Sequence, residues 1–330
     1  IVEKEVIVYR DKEEGFRPSG NVGLEVRYFD RTEGQKNDEW SGADGDKYSR
    51  TQLSGAVQMT ENQKFEFRVR DYNNLDAHQA SSDMGTETRL RYSYNHGNLG
   101  DSKVNFVSRL QYVKDGSHAL RYEARFDFAE YMFNSDFVKT TDFTVAPKYA
   151  YSWGDDNSSD YDNQIGADLY TMHELPWGFS FEFNVYATQH FYGQDQYFDG
   201  LTKEEDKNFT VDVEAYIYNT TNLYTNGNVS VDFNFEGGYD QYNWSQEKKF
   251  GTKHIDKKIE GYTGDGVGRN NAKYSVYALP TIQLNYQATP NVKLYAAAGA
   301  EYRDWTVNSE SSASNWRWQP TVFAGFRTTF

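Results

Sequence analysis

Eight arginines occupy alternating positions in short segments of the first half of the chain: Arg27, Arg68, Arg70, Arg89, Arg91, Arg109, Arg121 and Arg125. Six carboxylates do the same further on: Asp168, Glu182, Asp212, Glu214, Asp232 and Glu236. In a strand, residues two apart share a face. The spacing therefore predicts a basic wall built by the earlier segments and an acidic wall built by the later ones. Such walls carry no bond-making chemistry. They set up a field across whatever space they enclose, and charged linings of this kind give pores their selectivity. Grouped like charges repel unless water and counter-acids screen them, and Glu25, Glu66, Glu87, Glu123 and Asp127 stand among the arginines. The plainer reading is that these arginines are salt-bridged structural residues of a wall. Tyr170, Tyr186 and Tyr216 share the inward parity and leave a substrate-specific channel open.

Other reactive residue types form no motif. The six histidines (His78, His96, His118, His173, His190 and His254) show neither metal spacing nor an HExxH pattern. An outer-membrane hydrolase needs a nucleophile or a water-activating carboxylate beside a histidine. His173 with Glu174 and His190 with Asp195 are the two pairs near in sequence, and adjacent residues of a strand face opposite ways, which removes the first. The loop holding Asp155, Asp156, Asn157, Asp160 and Asp162 lacks the glycine and terminal glutamate of an EF-hand. Gly264–Gly268 lacks the strand–helix context of a phosphate cradle and reads as flexible loop. Lys248, Lys249, Lys253, Lys257 and Lys258 read as a solvated charge run that could touch lipopolysaccharide phosphates. The expectation is a protein that is not an enzyme, with no catalytic residue, no metal and no cofactor.

The elements that must position the charges alternate with period two. Val22, Leu24, Val26 and Tyr28 interleave with Gly23, Glu25, Arg27 and Phe29. Leu120, Tyr122, Ala124, Phe126 and Phe128 interleave with Arg121, Glu123, Arg125 and Asp127. About fourteen such segments of about ten residues occur, the length that spans a bilayer as a tilted strand. They are expected near 20–30, 48–60, 64–74, 86–95, 103–114, 119–129, 141–153, 163–175, 178–190, 208–219, 228–242, 272–287, 292–305 and 316–330. Short turns at 60–63, 176–178 and 288–291, and slightly longer ones at 96–102 and 220–227, alternate with long segments at 31–47, 75–85, 154–162, 191–207, 243–271 and 306–315. The expected fold class is all-β: a transmembrane antiparallel β-barrel of about fourteen strands, with long extracellular loops and short periplasmic turns. Residues 1–19 are expected to be a periplasmic N-terminal extension and residues 20–330 the barrel. The chain opens at Ile1 without a leader pattern, as a mature or trimmed chain would.

Composition agrees. Aromatic residues are 17% of the 330 residues, including 27 Tyr and 22 Phe, yet mean hydropathy is -0.86. A soluble globule would bury its aromatics among many aliphatics. A barrel instead needs aromatic girdles outside and polarity within. No apolar run is long enough for a transmembrane helix, and there is no Cys. The net charge of -15 speaks against nucleic acid as a partner. Trp316, Trp318, Pro320, Val322, Ala324, Phe326, Thr328 and Phe330 alternate to a C-terminal aromatic, the pattern that outer-membrane assembly machinery reads. Small Ala296, Ala298 and Ala300 stand where lipid-facing bulk is expected, which close approach of another barrel or a thin lipid contact would explain.

Several ordered stretches resemble one family. VIVYRD at 6–11, RLRYSYNHGNLGDSKVN at 89–105, FDFAEYMFNSDF at 126–137, EGGYDQYN at 236–243, KLYAAAGAEYRDW at 293–305 and WRWQPT at 316–321 resemble the fusobacterial major outer-membrane porins (FomA type). Loops 31–47 and 243–271 look divergent. The resemblance implies a voltage-sensitive general-diffusion porin of the bacterial outer membrane, usually a homotrimer. Its partners would be small hydrophilic solutes and ions, outer-membrane lipid and lipopolysaccharide. It also implies surface loops that can act as an adhesin toward host or bacterial ligands, the alternative reading of function.

Overall fold

The structure, a computed structural model, describes residues 15–33, 47–75, 85–154, 160–198, 204–248, 250–254, 266–270, 272–304 and 316–330. Fourteen strands form the wall: β1 (Ser19–Phe29), β2 (Tyr48–Gln58), β3 (Gln63–Asn74), β4 (Thr86–Asn98), β5 (Asn105–Asp115), β6 (Ser117–Asp127), β7 (Lys139–Trp153), β8 (Tyr161–Glu174), β9 (Phe179–Tyr197), β10 (Glu204–Asn226), β11 (Val229–Ser245), β15 (Val276–Thr289), β16 (Val292–Asp304) and β17 (Trp316–Thr329). Three short strands lie between β11 and β15: β12 (Phe250–His254), β13 (Gly266–Asn270) and β14 (Ala272–Lys273). Each wall strand pairs antiparallel with its neighbours in sequence, and β1 pairs with β17 to close the barrel.

The closure is sealed at the C-terminal residue. Phe330 and Gly20 exchange two backbone hydrogen bonds, at 3.0 and 3.1 Å. The Phe330 ring lies over Gly20, where an added Cβ would meet ring carbon Cζ at 2.8 Å and the Ala56 carbonyl at 2.4 Å. A glycine is needed because ring and neighbouring backbone occupy the space of a side chain. The C-terminal aromatic is thus part of the seam.

The alternation inverts the packing of a soluble protein. Val26, Leu53, Leu90, Leu110, Leu120, Tyr149, Ile165, Phe181, Ile217, Leu284, Leu294 and Val322 are exposed, on strands all round the barrel. Among the described residues the buried hydrophobics are only Ala146, Ala150, Tyr277, Ala297 and Phe323, whereas buried polar residues are far more numerous. In water an apolar surface of this extent would drive association. In a bilayer it is the solvated face. No helix among the described residues is long and apolar enough to cross a membrane. Closed antiparallel pairing with an apolar exterior makes the chain a multi-pass outer-membrane protein.

The boundaries differ from expectation where one strand outlasts its partner. Residues 220–227 are mostly strand: β10 runs to Asn226, and the turn is Gly227 and Asn228. β9 reaches Tyr197 and β10 starts at Glu204, so most of 191–207 also belongs to the wall. Within 243–271, β12 pairs with β13, so Gly266–Gly268 is strand, and β14 pairs with the end of β11. The connections are sorted by length except at the two that flank β6. β5 and β6 are joined on the long-loop side by Gly116 alone. β6 and β7 are joined on the short-turn side by residues 128–138, which include a 3-10 turn at Ala129–Tyr131. Most of the N-terminal extension (1–14), most of the aspartate-rich loop (155–159) and residues 255–265 lie outside the described residues.

Candidate functional site

Strand pairing fixes which side chains share the interior. Glu25 on β1 is opposite Gln52 on β2, Arg68 on β3 opposite Arg89 on β4, and Arg109 on β5 opposite Glu123 on β6. Further round, Asp168 on β8 is opposite Tyr186 on β9, and Glu214 on β10 is opposite Asn184 on β9. These positions alternate with the exposed apolar residues, so all fourteen charges singled out in the sequence lie on the interior parity. The interior contains a cavity of about 560 Å³ whose lining includes Glu25, Ser54, Tyr218, Asn234, Gln283 and Tyr295. A second, of about 430 Å³, has Arg27, Arg50 and Arg70 on its lining together with Tyr216, Tyr218 and Glu236. Strands β1–β3 and β10–β11 therefore face one enclosed space.

The arginines are held in small ion-pair groups. Glu25 receives Arg50 at 3.0 Å and Arg27 at 3.3 Å. Glu87 contacts Arg68 and lies 3.5 Å from Arg70, which also donates to Gln52 at 2.7 Å. Glu123, only 1% exposed, takes Arg109 at 2.5 Å and Arg125 at 2.9 Å, with Arg121 at 3.7 Å. The Arg125 guanidinium also lies 4.3 Å from the centre of the Tyr170 ring. Arg91 donates to Gln111 at 2.5 Å. Neither Arg89 nor Arg91 has a carboxylate within ion-pair distance among the described residues. Two arginines commonly share one glutamate, so this wall retains a positive surplus after pairing.

The opposite wall is held differently. Glu182 accepts hydrogen bonds from Tyr218 (2.8 Å) and Asn184 (2.7 Å), and Glu214 accepts one from Tyr186 (2.7 Å). Asp212 accepts from Asn243 (2.6 Å), Asp232 from Asn222 (2.8 Å) and Asn285 (2.7 Å), and Glu236 from Tyr277. Every donor is neutral. A buried polar group needs a hydrogen-bond partner, and a phenol or amide satisfies that need without cancelling the charge. Five carboxylates thus keep their charge facing the lumen.

Asp168 stands apart from that group. It is 1% exposed, contacts the Lys148 ammonium, and lies 3.8 Å from Arg121. It faces inward as expected but belongs to the Arg–Glu–Lys network of β5–β8. Arg50 and Lys148 were not singled out in the sequence. Lys148 had a signal in its parity, alternating with outward Pro147 and Tyr149. Of the inward tyrosines named from the sequence, Tyr186 donates to Glu214, Tyr170 donates to Asp168 at 3.2 Å within the β5–β8 network, and the Tyr170 and Tyr186 rings meet edge to face at 5.6 Å.

His190 pairs with Asp162 at 2.7 Å, not with Asp195, and its other ring nitrogen lies 3.1 Å from Thr210 Oγ1. His173 lies 3.1 Å from Thr140 Oγ1. At the long-loop end, Asp30 accepts the Arg31 backbone N–H at 2.8 Å and lies 3.4 Å from Lys47, which together hold its carboxyl below the usual range.

The buried pair gives a first prediction. Asp168→Asn leaves the Lys148 ammonium buried without full compensation, and breaking such a pair costs about 3–5 kcal/mol. Urea unfolding in lipid vesicles should show a loss of that size. The double variant Lys148→Met with Asp168→Leu should recover most of it. An unchanged midpoint in the single variant would mean that the pair is solvated.

No family model matches the chain, and no curated protein matches it. Among solved structures it is similar to an anion-selective porin from Comamonas acidovorans, with TM-score 0.37, 10% identity, and coverage of 95% of this chain and 99% of that one. It is also similar to Salmonella typhi OmpF in complex with daunomycin, with TM-score 0.38, 11% identity, and coverage of 94% and 97%. A third is an outer membrane channel from Pseudomonas putida F1, with TM-score 0.31, 11% identity, and coverage of 99% and 100%. Likeness at this level carries no functional argument. On its own geometry, the chain is an outer-membrane β-barrel whose enclosed interior is polar, charged and divided by sign.

Proposed function

We propose that this barrel is a general-diffusion porin of the fusobacterial major type, passing small hydrophilic solutes and ions. One observation carries the reading: among the described residues, β1–β6 keep a positive surplus after ion pairing, while the hydrogen bonds to the inward acids of β9–β11 come from neutral donors. A wall meant simply to be stable would pair its charges, because an isolated ion is costly to desolvate. Surplus charge of opposite sign on facing walls holds ordered water and orients dipolar solutes. An apolar solute would have to strip that water. The same unpaired arginines supply a voltage response, since moving one elementary charge through the membrane field is worth about 2.3 kcal/mol per 100 mV.

The small-residue patch supports a homotrimer. Ala296 is in register with Ala324, Ala298 with Val322 and Ala300 with Pro320, so β16 contributes an alanine to each of three successive outward rows. Small residues let neighbouring membrane elements approach closely.

Planar-bilayer recording tests the pore. Purified protein should give stepwise conductance, and the variant Arg89→Glu with Arg91→Glu should raise the potassium-to-chloride permeability ratio several-fold, read as the reversal potential in a salt gradient. An unchanged reversal potential would assign the arginines to structure alone. Native mass spectrometry from mild detergent should give a trimer for the wild type and monomers for Ala298→Arg. A trimer that survives this change would remove the patch from the interface.

A further inference from the structure

The cavity of about 430 Å³ lies between unlike charges, and its size is within the range of about 300–1,000 Å³ typical of small-molecule sites. Arg27 and Arg50 share one carboxylate, Glu25. Arg70 shares Glu87 with Arg68 and also donates to the neutral Gln52. Each group leaves one positive charge over. On the facing side, Glu236 Oε1 accepts the Tyr277 hydroxyl, and its Oε2 takes no hydrogen bond from a described residue. Aromatic rings frame that carboxylate. The Tyr216 ring lies 6.2 Å from Tyr277, edge to face, and 6.0 Å from Tyr218. Arg303 lies 4.7 Å over the Tyr277 ring and contacts Glu301, so that pair is locally neutral.

A solute passing this section meets a cationic surface and an anionic one together. A simple anion gains at the arginines and is repelled at Glu236, and a simple cation meets the reverse. A molecule carrying both a carboxylate and an ammonium satisfies both sides at once, and its ammonium also faces tyrosine rings, which attract cations. We propose that this cavity is a binding step for small zwitterions of the amino-acid and short-peptide class, with Arg50 and Arg70 taking the carboxylate and Glu236 the ammonium. This rests on the pore reading and narrows it to a substrate class.

Single-channel recording with three probes of similar size tests it: L-glutamine, its anionic form N-acetyl-L-glutamine, and the decarboxylated cation 4-aminobutanamide. Glutamine should lower the conductance saturably. Each singly charged probe should bind about tenfold more weakly or worse, the consequence of losing one charge-assisted hydrogen bond. Glu236→Gln, shown to be folded by its heat-modifiable gel mobility, should bring glutamine block down to that of N-acetylglutamine. The wild-type comparison stands even if that variant fails to fold. A conducting channel that the three probes block equally, or that glutamine does not saturate, overturns the zwitterion site and leaves the porin intact. Folded, inserted protein that does not conduct overturns both.

Discussion

In hydrocarbon, an unpaired backbone amide costs several kcal/mol, and the rest of this molecule depends on leaving none at a strand edge. The β1–β17 ladder achieves that, from Asn21 opposite Thr329 to Phe29 opposite Thr321. The two hydrogen bonds between Gly20 and Phe330 extend it to the end of the chain. Once the ring is closed, each side chain has one of two destinations. Leu, Val and Ile go out to lipid. Tyr122, Tyr149 and Tyr286 go out with them, whereas Arg, Glu, Asp and tyrosines such as Tyr170, Tyr186 and Tyr218 go in, where they must satisfy each other or water.

The interior solves that requirement in two ways. Around β5–β8, charges are packed into a dry network in which Glu123, Asp168 and Lys148 lose nearly all contact with solvent. Around β9–β11, acids are tied to tyrosines and asparagines and keep their charge. The first arrangement ties the neighbouring strands of one side to each other. The second leaves a field. Between them, the sharing of Glu25 and Glu87 by two arginines each maintains the opposing surplus. Stability and selectivity thus draw on the same residue types, and the partner of each charge decides which role it takes.

Much of this was legible in the sequence, because parity is a local property. Val22 to Tyr28 reads as an outward row without knowledge of any neighbour, and so does Trp318 to Phe326. The same holds for the inward arginines and acids. What was not legible depends on register between strands. Lys148 meets Asp168 because β7 and β8 place Lys148 opposite Gly166, an offset that neither strand encodes alone. His190 meets Asp162 across the β8–β9 pairing for the same reason, where a sequence reading offers only the nearer Asp195. The length of β10 was missed because Thr220–Asn226 puts its two apolar residues, Leu223 and Tyr224, on opposite faces among polar neighbours, so period two gives no contrast there. The expected segments 103–114 and 119–129 left a short connection around Gly116, and the structure tightens it to that one residue.

The most direct test uses the absence of cysteine, which lets single labels be placed cleanly. Spin labels at Ile282, Gln283 and Leu284, in protein reconstituted into vesicles, sample three successive residues of β15. Relaxation enhancement by oxygen should dominate at Ile282 and Leu284, and enhancement by a water-soluble nickel chelate should dominate at Gln283. Chelate access at the two apolar positions, with oxygen access at the glutamine, would mean that the wall faces the other way and encloses no aqueous path.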